Sequence, residues 1–314
     1  MHWKIKASIQ KILSLTHVGD VLNHIPVTMS SKYHENVCLY QFYECIRKFK
    51  LSEVKFSYGK PLSALEIGTG YSIIASVVLS LLGFKKIVSV DISNDLNLKS
   101  FLKEINFLEL HEVWEILLNL SIYDRVILKN KISNLKSARK MKDIFNMCNI
   151  VYIPNYKVED IDRLDIKFQY IFSQVVFEHI SPNSLSHLFN KFNEWMDDSC
   201  ISVHTVNFID HFANPGLFQD KSISEFNFLK YSDKQWAFWA GNNIAFTNRL
   251  SYIYYIDLCE GKGFKLLNFI GENYRPHNPL SQEEIHEDVF FKYQKTIGAE
   301  DLCKYQRGTY VLCN

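Results

Sequence analysis

"LEIGTGYSIIASVVLSLLGFKKIVSVDIS", residues Leu65 to Ser93, is the stretch whose reading decides the fold. A hydrophobic run ends in Gly68-Thr69-Gly70, a segment of helical length follows from Tyr71 to Phe84, and a second hydrophobic run closes on Asp91. Gly83 stands where a helix C-cap is expected. Strand, helix and strand within about thirty residues make a βαβ unit, which implies a parallel sheet and a right-handed crossover.

A strand running into Gly68-Thr69-Gly70 brings backbone N–H groups close to a ligand with no Cβ in the way. Asp91 follows about twenty residues later at the end of the neighbouring strand, where a carboxylate accepts both hydroxyls of a ribose. Together they suit an adenosine-type ligand. The third glycine of a dinucleotide fingerprint falls on Ile73, whose bulk opposes a close pyrophosphate. Glu66 would set a negative charge beside a diphosphate, whereas it suits an ammonium or a sulfonium. S-adenosyl-L-methionine carries both, with the ribose.

Working outward, residues 1–60 read as a mostly helical N-terminal extension, and 95–149 as a helical insertion between the second and third strands. Strand signals recur at Asn149–Asn155, Phe168–Phe177, Cys200–Phe208, "FKLLNFI" and "GTYVLCN". Helices are expected in "SPNSLSHLFNKFNEWM", opening on an N-cap and proline, and in "RLSYIYYIDLCEGKGF". The expectation is an α/β, doubly wound, Rossmann-like domain over 61–314, with a lid-like insertion at 212–247.

The ordered motifs "LEIGTGY", "VSVDIS" and "YIFSQVVFEHI" resemble those of class I S-adenosylmethionine-dependent methyltransferases with a seven-stranded sheet. That resemblance implies a cofactor site of Glu66, Gly68, Thr69, Gly70, Asp91, Ile92 and Ser173. Ile92 and the start of the 150–162 segment would flank the adenine, and Asp160 would reach its amine. "HTVNFIDHFANPG", "KSISEFNFLKYSDKQW" and "NNIAFTNRLSYIYYIDLCEGKGF" are similar to a bacterial subgroup associated with surface-polysaccharide biosynthesis (O-antigen or capsule). The resemblance implies O-methylation of a sugar or saccharide-linked precursor. The alternatives are a small aromatic or lipid acceptor, or a catalytically inactive cofactor-binding partner subunit.

A sugar hydroxyl is too weakly acidic to attack without losing its proton, which calls for a base. His204, in the fifth strand, and His211 just past it are the candidates, with Asp210 to orient either ring; an ordinary imidazole titrates near ~6.5. Arg249 in "TNRLS" offers a fork for an acceptor phosphate or carboxylate. Glu178-His179 resembles the pair that holds a divalent metal in ubiquinone-type methyltransferases. Val175 stands where an earlier carboxylate would be, so a hydrogen-bonded turn and no metal are expected. The aromatic run Phe226 to Trp239 is either a sugar-stacking lid or buried core, core being favoured.

Composition narrows the rest. The chain has 314 residues, 47% hydrophobic and 22% charged, with Lys+Arg 35 against Asp+Glu 34, so no basic excess drives nucleic-acid binding. Leu128 to Lys142, the basic stretch, reads as a solvated helix face. Seven scattered cysteines with no CxxC pair argue for reduced thiols. No apolar run reaches the ~18 residues of a membrane span and no signal-peptide pattern is seen, so a cytoplasmic protein is expected. "MHWKIKASIQKILSLT" has the spacing and lysines for peripheral contact with an anionic membrane, though packing on its own domain is the commoner use of such a helix.

Overall fold

The structure is a computed structural model that describes residues 1–16, 31–56, 61–157, 166–213, 218–242, 244–293 and 296–314. Asp160 lies outside the described residues.

Strands β1 (Ser63–Ile67), β2 (Lys86–Val90), β3 (Ile150–Ile153), β4 (Phe168–Gln174), β5 (Met196–Asn207), β6 (Lys265–Glu272) and β7 (Arg307–Cys313) form a seven-stranded sheet. Their order is β3-β2-β1-β4-β5-β7-β6. β1 pairs parallel with β2 and β4, Leu65 lying opposite Val88 and Ile171, and β2 pairs parallel with β3. The order reverses between β1 and β4, so the switch point lies beyond the carboxyl ends of those two strands, where such sheets take ligands. This is the α/β, doubly wound, Rossmann-like architecture expected from the sequence. β4 stops at Gln174 and not Phe177, because Val175 turns into the left-handed region (φ 55°).

The chain divides into two compact units. One holds the described parts of residues 30–174, 187–204 and 311–314. Its β1 is buried along nearly its whole length, as a parallel strand covered on both faces must be. Helix α1 spans Trp3–Leu13 and belongs to the other unit, whereas α2 (Ser31–Leu51) and α3 (Ile74–Leu82) belong here. Every residue of α3 is buried, and Cys38, Phe42, Cys45, Ile46 and Phe49, at helical spacing along α2, share its core cluster. α2 is therefore part of the core of this unit. Between β2 and β3 the chain forms α4 (Leu98–Glu104), α5 (His111–Leu120), α6 (Arg125–Lys136) and α7 (Met141–Cys148). On α6, Leu128, Ile132 and Leu135 face inward and Lys129 is exposed, which is the solvated face expected of the basic stretch.

Gly83 caps α3 at φ 133°, its N–H donating to the Leu79 carbonyl at 3.1 Å. A Cβ there would stand 2.7 Å from two side-chain carbons of Ile122. Gly83→Ala is expected to cost about 1–3 kcal/mol, the usual range for a residue forced into a sparse backbone region. Urea denaturation measures it, and an unshifted midpoint would mean that Ile122 and the turn relax freely.

The other unit holds the described parts of residues 1–29, 175–186 and 205–310. Helix α8 (Pro182–Trp195) begins in it and continues into the first; Ser181 Oγ accepts the Ser184 N–H at 3.2 Å, the cap read from Ser181-Pro182. α9 (Asp233–Ala240), α10 (Tyr252–Gly261), α11 (Glu287–Phe290) and α12 (Ala299–Leu302) complete the named helices. Trp3 of α1 is buried against Phe212 and Trp236, with ring centroids 5.6 and 5.8 Å away. Phe226, Phe228, Leu229 and Trp236 are buried in the same cluster, so most of the aromatic run is core. The opposite face of α1 turns Ile5, Ile9 and Ile12 outward. Among the described residues no helix is long and apolar enough to cross a membrane. None of the seven cysteines is in a disulfide.

Candidate functional site

The chain leaves β1 through two left-handed glycines, Gly68 (φ 79°) and Gly70 (φ 62°). Gly68 N donates to the Val90 carbonyl at 2.9 Å, tying the turn to the end of β2. Gly70 N donates to Asp91 Oδ2 at 2.6 Å, so the two features read from the sequence are joined directly. A Cβ built on Gly70 meets no described atom within 4 Å, which leaves open space over the turn. Asp91 Oδ1 accepts from Ser93 N and Oγ, both at 2.9 Å. Carboxylate oxygens have further lone pairs, so these bonds leave capacity for a ribose. Thr69 is buried and its Oγ1 meets Ser89 Oγ at 2.5 Å; Ile92 is 80% exposed.

Glu66 is buried, and its Oε2 accepts from Ser76 Oγ (2.6 Å) and Ser89 Oγ (2.7 Å). Burial pushes its pKa up to about 7, against the pull of both serines and Lys48, with Asp91 adding to the rise. A carboxyl poised there becomes a firm anion when a cation arrives beside it. Sequence reasoning missed Ser76 and Ser89. Their signal was a hydroxyl interrupting each of two apolar runs, "IIASVVLSLL" and "KKIVSVD".

Lys48 was missed as well. It is buried in α2, donates to Gln174 Oε1 and lies 3.8 Å from Glu44; burial lowers its pKa to about 8. Glu104 meets His34 Nδ1 at 3.3 Å and accepts from Ser72 Oγ at 2.7 Å, linking the segment after the glycines to α2 and α4.

The residues expected at the acceptor are used differently. His204 is buried with Nδ1 2.8 Å from Ser173 Oγ, Nε2 bonded to Ser202 Oγ and its ring stacked on Phe192 at 5.2 Å. Both nitrogens are engaged, so His204 serves as an internal link, and Ser173 is its partner. Burial and Lys48 hold its pKa at about 3. Asp210 orients neither imidazole: its carboxyl accepts from Phe212 N (2.8 Å) and Asn227 Nδ2 (3.2 Å), fixing the turn that carries His211. Burial raises its pKa to about 6. Arg249 is buried, donating to the carbonyls of Phe228 (2.8 Å) and Tyr231 (2.7 Å) and to Asp233 at the start of α9. Its fork closes its own turn in place of an acceptor anion.

The 177–179 turn after β4 is held more firmly than the sequence indicated. Asn248 N donates to the Glu178 carbonyl (2.8 Å), and Asn248 Nδ2 to those of Phe177 (2.7 Å) and Ile180 (2.9 Å). His179 Nδ1 lies 3.0 Å from the Phe246 carbonyl. The segment "FTNRL" is thus a buckle for this turn and for the 228–233 turn. The Glu178 side chain is another matter. It is buried, and neither carboxyl oxygen has a hydrogen-bond partner. Burial raises its pKa to about 8, against the pull of the backbone N–H groups of Glu178 and Asn207. His211 Nε2 is likewise buried without a partner, its pKa lowered to about 3 by burial, His179 and Lys6. An imidazole titrating near the ordinary value is found at neither candidate base.

No family model matches this chain, and no curated protein does. Among solved structures it is similar to PKMT2 of Rickettsia typhi in complex with AdoHcy, at 12% identity over 87% of this chain and 52% of that one, with a TM-score of 0.43. Haemonchus contortus phosphoethanolamine N-methyltransferase 2, in complex with S-adenosyl-L-methionine, gives 13% identity over 87% and 52%, with a TM-score of 0.41. A ribosomal protein L11 methylase from Lactobacillus delbrueckii subsp. bulgaricus gives 9% over 87% and 76%, with a TM-score of 0.35. At that distance the fold rests on the strand order, and the chemistry on the residues themselves.

Proposed function

We propose that the protein is an S-adenosyl-L-methionine-dependent methyltransferase acting on an oxygen of a sugar or saccharide-linked precursor. The observation that carries the cofactor is the Gly70–Asp91 hydrogen bond beside open space, with the buried Glu66 one residue before the end of β1. In this reading the 68–70 turn and Glu66 hold the methionine portion, Asp91 the ribose, and the exposed Ile92 lies along the adenine. The cofactor supplies a methyl group already activated by the sulfonium, so the chain's work is to position the acceptor and ease its deprotonation. His211, the expected base with an unpartnered nitrogen, is the residue assigned to the acceptor hydroxyl. The saccharide rests on the resemblance of the 204–216, 221–236 and 242–264 segments.

Calorimetry with S-adenosyl-L-methionine, S-adenosylhomocysteine and NAD, followed by transfer of a labelled methyl to a panel of sugar nucleotides, tests the reading. Preference for NAD would overturn it, and tight cofactor binding without transfer to any acceptor would favour a non-catalytic subunit. Glu66 adds a signature. Affinity for the cationic cofactor is expected to rise as Glu66 ionises, between about pH 5.5 and 7.5, below the range in which an α-amino group titrates. Glu66→Gln should bind more weakly and lose that step. Stability should run the other way. The folded carboxyl binds its proton more tightly than the unfolded one, so its contribution falls as pH rises from 4.5 to about 7.

A further inference from the structure

We propose that helix α1 docks the protein on an anionic lipid bilayer, lying in the plane of the headgroups with its isoleucines inserted. The helix buries Trp3, Ala7 and Gln10 and turns Ile5, Ile9 and Ile12 outward, 55%, 44% and 66% exposed. At ~3.6 residues per turn the two sets lie on opposite sides of the helix. A surface helix ordinarily does the reverse, with its apolar stripe inward and its charges outward. Here a glutamine is turned in and three isoleucines are turned out.

The stripe cannot roll inward, because the other face is fixed. Trp3 packs among Phe212, Tyr231, Trp236 and Trp239, and its backbone N–H donates to Asp220 Oδ2 at 2.9 Å. The apolar surface also extends beyond the helix. Leu15, just past its end, is exposed, and so is Phe238 of α9. Lys11 joins α1 to that ring, its Nζ donating to the Phe238 carbonyl at 3.0 Å and standing 3.9 Å from the ring centroid. Single exposed apolar side chains are ordinary, whereas a row of them on adjoining segments marks a surface that meets something.

Charge decides what that is. Residues 1–16 hold Lys4, Lys6 and Lys11 and no Asp or Glu. Lys4 and Lys11, seven residues apart, are exposed along one edge of the stripe, and the exposed Lys234 stands one turn before Phe238. Asp233, the acid of α9, is already paired with Arg249 and Lys292. A second copy of the chain would bring the same positive patch to a two-fold contact, with no carboxylate on its own α1 to meet it. Lipid phosphates meet the lysines while the acyl boundary takes the isoleucines, and helices of this kind sink ~5–10 Å into that layer.

The same helix touches the segment assigned to the acceptor, for Lys6 Nζ lies 3.5 Å from the His211 carbonyl. If the sugar-methylation reading holds, a saccharide carried on a membrane lipid is the acceptor that such docking brings to His211. The docking itself does not depend on that reading, and its test measures binding alone.

The full chain is cosedimented with vesicles of phosphatidylcholine alone and of equimolar phosphatidylcholine and phosphatidylglycerol. Saturable binding to the mixed vesicles is expected, falling steeply with salt as the lysines are screened. Ile9→Glu and Ile12→Glu change exposed positions, so both should fold normally and weaken binding roughly tenfold or more. Lys4→Gln and Lys11→Gln should each weaken it roughly fivefold, the equivalent of about 1 kcal/mol per lysine at an anionic surface. Wild type that ignores the mixed vesicles, or binds both compositions equally, would overturn the proposal. So would binding that the folded glutamate variants retain unchanged. A wild-type dimer in analytical ultracentrifugation that Ile9→Glu dissociates would also overturn it, giving the face to a second copy.

Discussion

Asp91→Ala should lower affinity for S-adenosyl-L-methionine by roughly 10²–10⁴-fold. Two hydrogen bonds from ribose hydroxyls to a carboxylate are worth about 1.5–3 kcal/mol each. Together that is about 3–6 kcal/mol, at roughly 1.4 kcal/mol for each factor of ten. The same substitution frees Gly70 N and Ser93 N, so the glycine turn keeps only the Gly68–Val90 bond to the end of β2. Asp91→Asn separates these effects. It keeps one uncharged acceptor oxygen for Gly70 while weakening the grip on the diol, and should fall between wild type and alanine. Asp91 is only partly buried, so both variants should keep the wild-type denaturation midpoint within about 1 kcal/mol. Calorimetry on the three proteins decides it. Unchanged affinity in Asp91→Ala would remove the ribose from this strand end and take the cofactor assignment with it.

What could be read from the sequence follows from how local each feature is. The Gly68-Thr69-Gly70 turn was legible because left-handed backbone restricts the residue type, and Asp91 because its place at a strand end follows from the βαβ unit. The cap at Gly83 and the proline opening α8 were legible for the same reason. The roles of His204, Asp210 and Arg249 were not. Their residue types suit catalysis and structure equally, and partners far along the chain decide between the two. Ser173, for instance, meets His204 across 31 residues, and Arg249 reaches back 21 to the Phe228 carbonyl. Lys48 shows the same limit from the other side. A lysine in a mixed helix reads as solvated, and only Gln174, 126 residues away, reveals it as buried. The Glu178 turn was recognised as a hydrogen-bonded one, and its backbone is. Its orphaned carboxyl is a matter of what fails to reach it, and no spacing in the sequence records that.

His211→Ala should cut turnover by about 10²–10⁴-fold, the range for losing a group that eases proton removal from the acceptor. The cofactor's affinity should stay within about twofold of wild type, because the residues assigned to it, Glu66 to Gly70 and Asp91, are held by one another and by Ser76, Ser89, Val90, Ser93, Ile153 and Tyr156. Stability should change little, since His211 is only partly buried and its Nε2 gives up no hydrogen bond. His204→Ala should show the opposite pattern. It strips a partner from Ser173 and from Ser202, both fully buried, and opens a cavity beside Phe192. Each buried hydroxyl left unpaired costs about 1–3 kcal/mol, so the denaturation midpoint should drop clearly. Turnover of the fraction that remains folded should survive. The measurement is single-turnover methyl transfer, on whichever acceptor of the panel reacts, beside urea denaturation of each variant. A His204→Ala protein of normal stability with its turnover lost would return the base to β5. Full turnover in His211→Ala would point to an acceptor that arrives already ionised and needs neither imidazole.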